Sequence, residues 1–221
     1  LDAANVALNA STTIGAFDGT ITATAGNVAL NANGAVAFTA INAAGSTGSI
    51  AITSNAASIT GGTLSAGQDV TLTLNAGSGV ALGAITAGTG GNGSISITNS
   101  GASDITLNGN LQTTRSGLAD NVAAISVTSG RDILLASTTS LLATTSGAIR
   151  LNAAGAINLK VNDGGNNASA NSIQAVGNLD ITAGTSISRS DGNGVNLGAK
   201  AIGLSAGSSI GPMGGTVIAS T

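Results

Sequence analysis

The sequence predicts an all-β fold, a right-handed parallel β-helix of about nine coils with three short strands in each coil. Three observations predict it: a four-residue unit recurs nine times, further aliphatic positions follow each unit at regular distances, and small turn-forming residues separate them. Each coil is expected to span about 22 to 30 residues, a usual length for one repeat of a solenoid. Positions 1–221 are expected to form one β-helical repeat segment.

The recurring unit consists of an aliphatic residue, an intervening residue, a second aliphatic residue and then Asn, Thr or Ser. Two aliphatic residues two positions apart indicate a strand that buries one face. The distance between successive units is nearly constant, at roughly 22 to 24 residues with two longer steps of about 30, and such a period is typical of stacked coils. The units begin at Val6, Val28, Ile50, Leu72, Ile95, Ile125, Ile149, Leu179 and Ile202.

Two further aliphatic positions follow each unit. One lies about eight positions after its start, as at Ile14 and Val36, and a less regular one lies about fifteen positions after it, as at Ile21. Residues that tolerate tight turns fall between the strands, for example at Asn33-Gly34. A strand that returns in the same register with each repeat requires parallel coils stacked about 4.8 Å apart.

The polar residue that closes each unit is predicted to form a ladder along the axis. Equivalent residues of stacked coils lie one above another, so their amide and hydroxyl groups could hydrogen-bond from coil to coil, as in other stacked sheets. This structural polar ladder is expected to comprise Asn9, Asn31, Thr53, Asn75, Thr98, Thr128, Asn152, Thr182 and Ser205.

Three insertions interrupt the repeat, near residues 88–93, 115–121 and 161–171. Insertions in a solenoid emerge as loops on one face and are frequent binding sites. Loop insertion also costs little free energy, so simple tolerance is the other interpretation. The sequence alone leaves both interpretations open.

The composition disfavours several classes of function. Only 7% of the residues are charged, and Cys, His, Trp and Tyr are absent, which removes thiol and imidazole chemistry, disulfides and most transition-metal ligands. The net charge of −3 disfavours nucleic acid as a partner. No apolar run approaches the roughly 18 residues that a membrane span requires. We therefore expect no catalytic residue, no cofactor and no bound metal ion.

Calcium is the one metal that two glycine-rich segments suggest. Residues 90–95 resemble a calcium-binding nonapeptide but have no aspartate at the ligand position. Residues 191–194 offer Asp191 and Asn193 but lack the further carboxylates of a site with six to eight oxygen ligands. Neither segment changes the expectation of no metal.

Two alternative functions depend on particular residues. A carbohydrate-active β-helix would need two carboxylates about 5 to 9 Å apart, and Asp104 and Asp132, near Arg131, are the candidate pair. The competing interpretation makes both aspartates turn residues that accept backbone hydrogen bonds. An ice-binding solenoid would need a Thr-x-Thr pair on every coil, whereas Thr71 and Thr73 supply one only locally.

Three segments resemble a known family. Gly26-Asn27-Val28-Ala29-Leu30-Asn31-Ala32, Gly130-Arg131-Asp132-Ile133-Leu134-Leu135-Ala136 and Gly177-Asn178-Leu179-Asp180-Ile181-Thr182-Ala183 are similar to the repeats of filamentous haemagglutinin-like adhesins. The resemblance covers essentially the whole chain. It implies a shaft segment of a giant exoprotein of Gram-negative bacteria, exported by two-partner secretion and folded outside the cell as a β-helix.

From the repeats and this resemblance we expect a structural or adhesive function and no enzymatic one. The segment would belong to a secreted fibre on the bacterial cell surface that mediates attachment or filament formation. The expected partners are neighbouring β-helix repeats or identical subunits stacked end to end, and glycans or proteins of a host cell surface or matrix. Neither end of the sequence shows a charged or helical cap, so the stack is expected to continue at both ends.

Overall fold

The structure is a computed structural model that describes residues 1–43, 45–136, 141–143, 145–159, 171–189 and 194–220. Within these residues the regular structure consists of 25 strands and contains no helix. The strands pair in parallel and form two sheets. The chain is therefore a parallel β-solenoid of about eight turns, which confirms the predicted fold class.

The first sheet forms one face of the solenoid and receives one strand from each coil. Its strands stack in chain order and in register, so that Val28 lies between Val6 and Ile50. Nine stacked strands are separated by eight steps, which is why nine repeats make about eight turns. The strands are β2 (Val6–Ala10), β4 (Val28–Ala32), β6 (Ile50–Ser54), β8 (Val70–Leu74), β11 (Ile95–Asn99), β14 (Ala123–Ser129), β17 (Ala148–Ala153), β20 (Leu179–Ala183) and β23 (Ile202–Ala206).

The second sheet covers the other two faces. In the first three coils one long strand spans both faces: β3 (Ile14–Ala23), β5 (Val36–Ala43) and β7 (Ile59–Ala66), with the short β1 (Asp2–Ala3) paired to the end of β3. The sheet then divides, because β7 pairs with two separate strands of the fourth coil. Three short strands per coil are therefore found from the fourth coil onward, whereas the first three coils have two.

The two branches of the second sheet continue to the last coil. The second face contains β9 (Val80–Leu82), β12 (Ile105–Leu107), β15 (Ile133–Leu135), β18 (Ile157–Asn158), β21 (Ser186–Ser188) and β24 (Ser209–Ile210). The third face contains β10 (Ile85–Ala87), β13 (Leu111–Thr113), β16 (Leu141–Ala143), β19 (Asn171–Ala175), β22 (Val195–Ala199) and β25 (Gly214–Ala219).

The core consists of aliphatic columns that run along the axis. Alternate residues of a strand point inward, as in β4, where Val28 and Leu30 are buried and Ala29 is exposed. In-register pairing then places each inward residue on its equivalent in the next coil, so that Leu30 lies beside Ile52. Stacked Val, Ile and Leu side chains thus form the core of a chain that has only two aromatic residues.

The register of the fourth coil differs from the prediction. The unit begins at Val70, which pairs with Ile50 on one side and Ile95 on the other, and not at Leu72. Val70, Leu72 and Leu74 are all buried in β8. A shift of two residues keeps the same side chains inward, so the alternation of apolar residues in the sequence fits both registers equally well.

Candidate functional site

The predicted polar ladder forms a column on the outer surface of the first sheet. Asn9, Asn31 and Thr53 lie side by side in three successive strands, and five of the other predicted residues continue the column. Because of the changed register, Thr73 occupies the position assigned to Asn75. No hydrogen bond joins these side chains within the described residues, so the column presents its hydroxyl and amide groups to solvent.

A different set of asparagines does form a hydrogen-bonded ladder. Asn55 Nδ2 donates to Asn33 Oδ1 at 3.1 Å, and Asn75 Nδ2 donates to Asn55 Oδ1 at 2.7 Å. The three residues directly follow β4, β6 and β8, at the corner between the first and second faces. Sequence reasoning missed this ladder, although each asparagine lies five positions after the first residue of its strand in the true register.

Side chains at other corners also join neighbouring coils. Asn5 Oδ1 accepts a hydrogen bond from the Asn27 backbone N–H, and Asn27 Oδ1 accepts one from the Ser49 N–H, each at 2.8 Å. Asp69 Oδ1 accepts from both the backbone N–H and the hydroxyl of Ser94 at 2.8 Å. Short polar residues before a strand therefore satisfy backbone donors of the next coil.

The candidate carboxylate pair, Asp104 and Asp132, lies at such a corner. The two residues precede paired strands of adjacent coils, and Arg131 Nε lies 3.2 Å from Asp104 Oδ1 and 3.9 Å from Asp132 Oδ2. Asp104 Oδ1 also accepts the Asp132 backbone N–H at 3.3 Å, and Asp132 Oδ1 accepts the Ala156 N–H at 2.6 Å. Both carboxylates thus make the contacts of turn residues. Asp104 and Arg131 also line a shallow depression on the second face.

Buried polar residues reinforce the same corner from inside. Asn99 replaces the alanine or serine of most other coils at the last inward position of the first face, and its Nδ2 donates to the Ser103 carbonyl at 2.6 Å. Asn99 Oδ1 accepts the Gly101 N–H at 3.0 Å, and Ser129 Oγ donates to the Ser103 carbonyl at 3.2 Å. These bonds compensate the burial of the polar groups.

Residues 115–121 lie along the solenoid instead of projecting from it, and we call them the axial strap. The Leu118 N–H donates to Ser146 Oγ at 2.9 Å, and the Asp120 carbonyl accepts the Asn178 N–H at 2.8 Å. The Asp120 carboxylate then lies 2.7 Å from Lys200 Nζ. Ser146, Asn178 and Lys200 belong to the corners of three successive coils, so the strap connects coils that are not adjacent.

Residues 88–93 pack in the opposite direction, over the two preceding coils. The Thr89 N–H donates to the Ala66 carbonyl at 3.2 Å, and the Gly90 N–H donates to the Gly67 carbonyl at 2.9 Å. A Cβ added at Gly90 would lie only 2.2 Å from the Ser46 carbonyl oxygen, so glycine is required for this close approach. Both described insertions therefore cover the corner between the third and first faces.

The outer surface of the first sheet is rich in hydroxyl groups in its central coils. Thr71 and Thr73 point outward from β8, and Ser96 and Thr98 occupy the same positions in β11. The changed register brings the Thr-x-Thr pair into line with the polar column, but in one coil only. These side chains make no hydrogen bond within the described residues.

Some predicted features lie outside the described residues. They are residues 161–170 of the third insertion and the Asp191 and Asn193 pair. The described residues contain no group of three or more His, Cys, Asp or Glu that could hold a metal ion. In the part of the chain that the structure describes, no helix is long and apolar enough to cross a membrane.

The fold defines the class of this protein as a parallel β-solenoid repeat protein of about eight turns. The chain matches no family model, no curated protein sequence and no solved structure. Its class therefore depends on the strand topology, the register and the stacked aliphatic core.

Proposed function

We propose that the chain is a structural or adhesive shaft segment of a large secreted bacterial surface protein of the filamentous haemagglutinin-like kind. One observation carries the proposal: the first sheet runs through nine parallel strands without interruption. At about 4.8 Å per step, its eight steps make a rod roughly 38 Å long. Each coil contacts mainly the coils beside it, so such a rod can be lengthened by adding coils.

The outer surface of the first sheet supports an adhesive role, because it presents uncharged polar groups to solvent. The hydroxyl groups of Thr73, Thr98 and Thr128 lie in one column and have no hydrogen-bond partner in the described structure. They are free to bond to the hydroxyl groups of a glycan or to the polar groups of a protein. A single contact of this kind is weak, but repetition along the rod gives avidity.

Export and extracellular folding belong to the same proposal. The chain has no Cys, so folding outside the cell requires no disulfide formation. Folding of a solenoid can begin in one part of the stack and propagate to neighbouring coils. This mode of folding suits a chain that emerges gradually from an outer-membrane pore.

The shaft can be tested by lengthening it. Residues 28–49 form one coil, and its strand β4 is in register with β2 before it and β6 after it. Four more copies of this coil inserted after residue 49 are expected to give a folded protein about 19 Å longer, measured as the maximum dimension in small-angle X-ray scattering. An unfolded product, or one of unchanged length, would contradict the proposal.

Adhesion can be tested with beads that carry the chain. Coated beads are expected to be retained under flow on surfaces bearing matrix proteins or host glycans. Beads coated with the Leu151→Asp variant, in which a buried charge prevents folding, serve as the control. Equal retention of both kinds of bead would argue against adhesion by the folded rod. Cleavage of a polysaccharide that is lost in Asp104→Asn would support the carbohydrate-active alternative instead.

A further inference from the structure

The second face of the rod carries a shallow depression across its middle coils. The depression has a volume of about 230 Å³ and includes Ala81 of β9, which points outward between Thr60 of β7 and Thr106 of β12. Strands of the same sheet continue on both sides of it, with β5 before β7 and β15 after β12. The shape of the depression therefore does not depend on either end of the chain.

The depression exists because small residues lie between longer ones. The methyl group of Ala81 is the only side chain between Thr60 and Thr106, whose strands are two coil steps, or about 9.6 Å, apart. Gly79, just before β9, has a φ of 113°. A Cβ added there would also lie 2.9 Å from the Asp104 carbonyl oxygen, so this position requires glycine. The backbone itself thus keeps part of the floor free of side chains.

Uncharged hydroxyl groups surround this floor. They belong to Ser58, Thr60, Ser78 and Thr106. None of these hydroxyl groups makes a hydrogen bond with another described residue. Each can donate one hydrogen bond and accept others. The depression therefore offers four hydroxyl groups to a ligand without breaking any contact inside the protein.

An ion pair closes one end of the depression. Arg131 Nε lies 3.2 Å from Asp104 Oδ1, which also accepts the Asp132 N–H. Asp104 Oδ2 and the Arg131 Nη groups make no hydrogen bond with the described residues, so an ionised acceptor and an ionised donor lie side by side. Arg131 is close to two carboxylates, those of Asp104 and Asp132. The local excess of negative charge disfavours an anionic ligand.

We propose that this depression binds one ring of a neutral saccharide. Of two adjacent sugar hydroxyl groups, one donates to Asp104 Oδ2 and the other accepts from Arg131, while Thr60 and Thr106 bond to further hydroxyl groups. The methyl group of Ala81 contacts the C–H groups of the ring. The volume of about 230 Å³ is below the roughly 300 Å³ at which pockets for drug-sized ligands begin, so it fits a single ring.

The inference rests on the proposed adhesive function for its biological role. It places a glycan contact on the second face, whereas the hydroxyl column lies on the outer surface of the first sheet. The two contacts can therefore be tested separately.

Titration of the full chain with the methyl glycosides of glucose, galactose and mannose, followed by NMR chemical shifts, tests the site. At least one of the three sugars is expected to shift the amide signals of Ala81 and Thr106, with a dissociation constant in the millimolar range. Ala81→Leu fills the depression and is expected to raise that dissociation constant at least about tenfold. Leu134 already occupies the equivalent position two coils later, so the fold is expected to accept this change.

Ala37→Leu is the matched control, because Ala37 holds the same outward position one coil before Thr60 and does not line the depression. This variant is expected to bind the sugar as the unmodified chain does. Asp104→Asn keeps an oxygen for the Asp132 N–H but loses the charge, and is expected to weaken binding about tenfold.

Three results would overturn the inference: no shift with any of the three sugars, equal weakening by Ala81→Leu and Ala37→Leu, or undiminished binding by Asp104→Asn. The bead assay separates this inference from the proposed function. Beads that are retained although no sugar shifts any signal refute only the saccharide site. Sugar-induced shifts at Ala81 without bead retention refute only the adhesive function.

Discussion

Phe38 and Gly61 form a contacting pair, and the effect of this contact on stability can be estimated. They lie side by side in β5 and β7, and the Phe38 ring fills the space left by the missing Gly61 side chain. A Cβ added at Gly61 would lie 2.0 Å from Phe38 Cζ and 2.2 Å from Cε2. Gly61→Ala therefore cannot be accommodated unless the ring moves.

The expected effect of Gly61→Ala on the free energy of unfolding is the difference between two opposing contributions. Overpacking of a buried site costs about 1 to 3 kcal/mol. Alanine in place of glycine restricts the unfolded chain and thereby stabilises the folded state by roughly 0.4 to 1 kcal/mol. Gly61→Ala is thus expected to lower the free energy of unfolding by about 1 to 2 kcal/mol. In a Phe38→Leu background the three clashing ring atoms are absent, and the same change is expected to be neutral or stabilising.

Urea denaturation of the four proteins of this double-mutant cycle measures the coupling. We expect a coupling free energy of about 1 to 3 kcal/mol, the overpacking cost itself, because the effect of alanine on the unfolded chain is the same in both backgrounds and cancels. Gly15→Ala is a suitable control, because an added Cβ there meets no atom within 4 Å. An equal loss for Gly61→Ala in both backgrounds would refute the packing of Phe38 over Gly61.

Three further predictions concern single positions. Leu151 is 1% exposed, so Leu151→Asp is expected to prevent folding, whereas Arg150→Ser, at the outward neighbour, is expected to lower the free energy of unfolding by less than about 1 kcal/mol. Similar melting temperatures for the two variants would contradict the assignment of Leu151 as inward and Arg150 as outward. The buried Thr113 hydroxyl has no hydrogen-bond partner in the described structure, so Thr113→Val is expected to raise the free energy of unfolding by about 1 kcal/mol in urea denaturation. A lower free energy of unfolding would mean that this hydroxyl does make a hydrogen bond. Asn55→Ala removes two bonds of the asparagine ladder and Asn33→Ala only one, so thermal unfolding is expected to show the larger loss for Asn55; the reverse order would argue against the ladder.

The repeat pattern in the sequence was enough to predict the class of fold. Alternation of Val28, Ala29 and Leu30 specifies which side chains face inward, because successive side chains of a strand point to opposite faces. The return of that pattern at nearly constant intervals then requires parallel stacking. The same pattern allowed the interpretation of Asp104 and Asp132 as turn residues, since each directly precedes a strand of the second face.

The tertiary structure decided the register of the fourth coil and the contacts between distant coils. A pattern of period two cannot distinguish Val70 from Leu72 as the start of a coil, and only pairing with both neighbouring strands selects Val70. That choice placed Asn75 in a corner ladder instead of the surface column. The axial strap depends on contacts between Asp120 and Lys200, which are 80 residues apart. No local pattern encodes such a contact, because it exists only once the intervening coils have stacked.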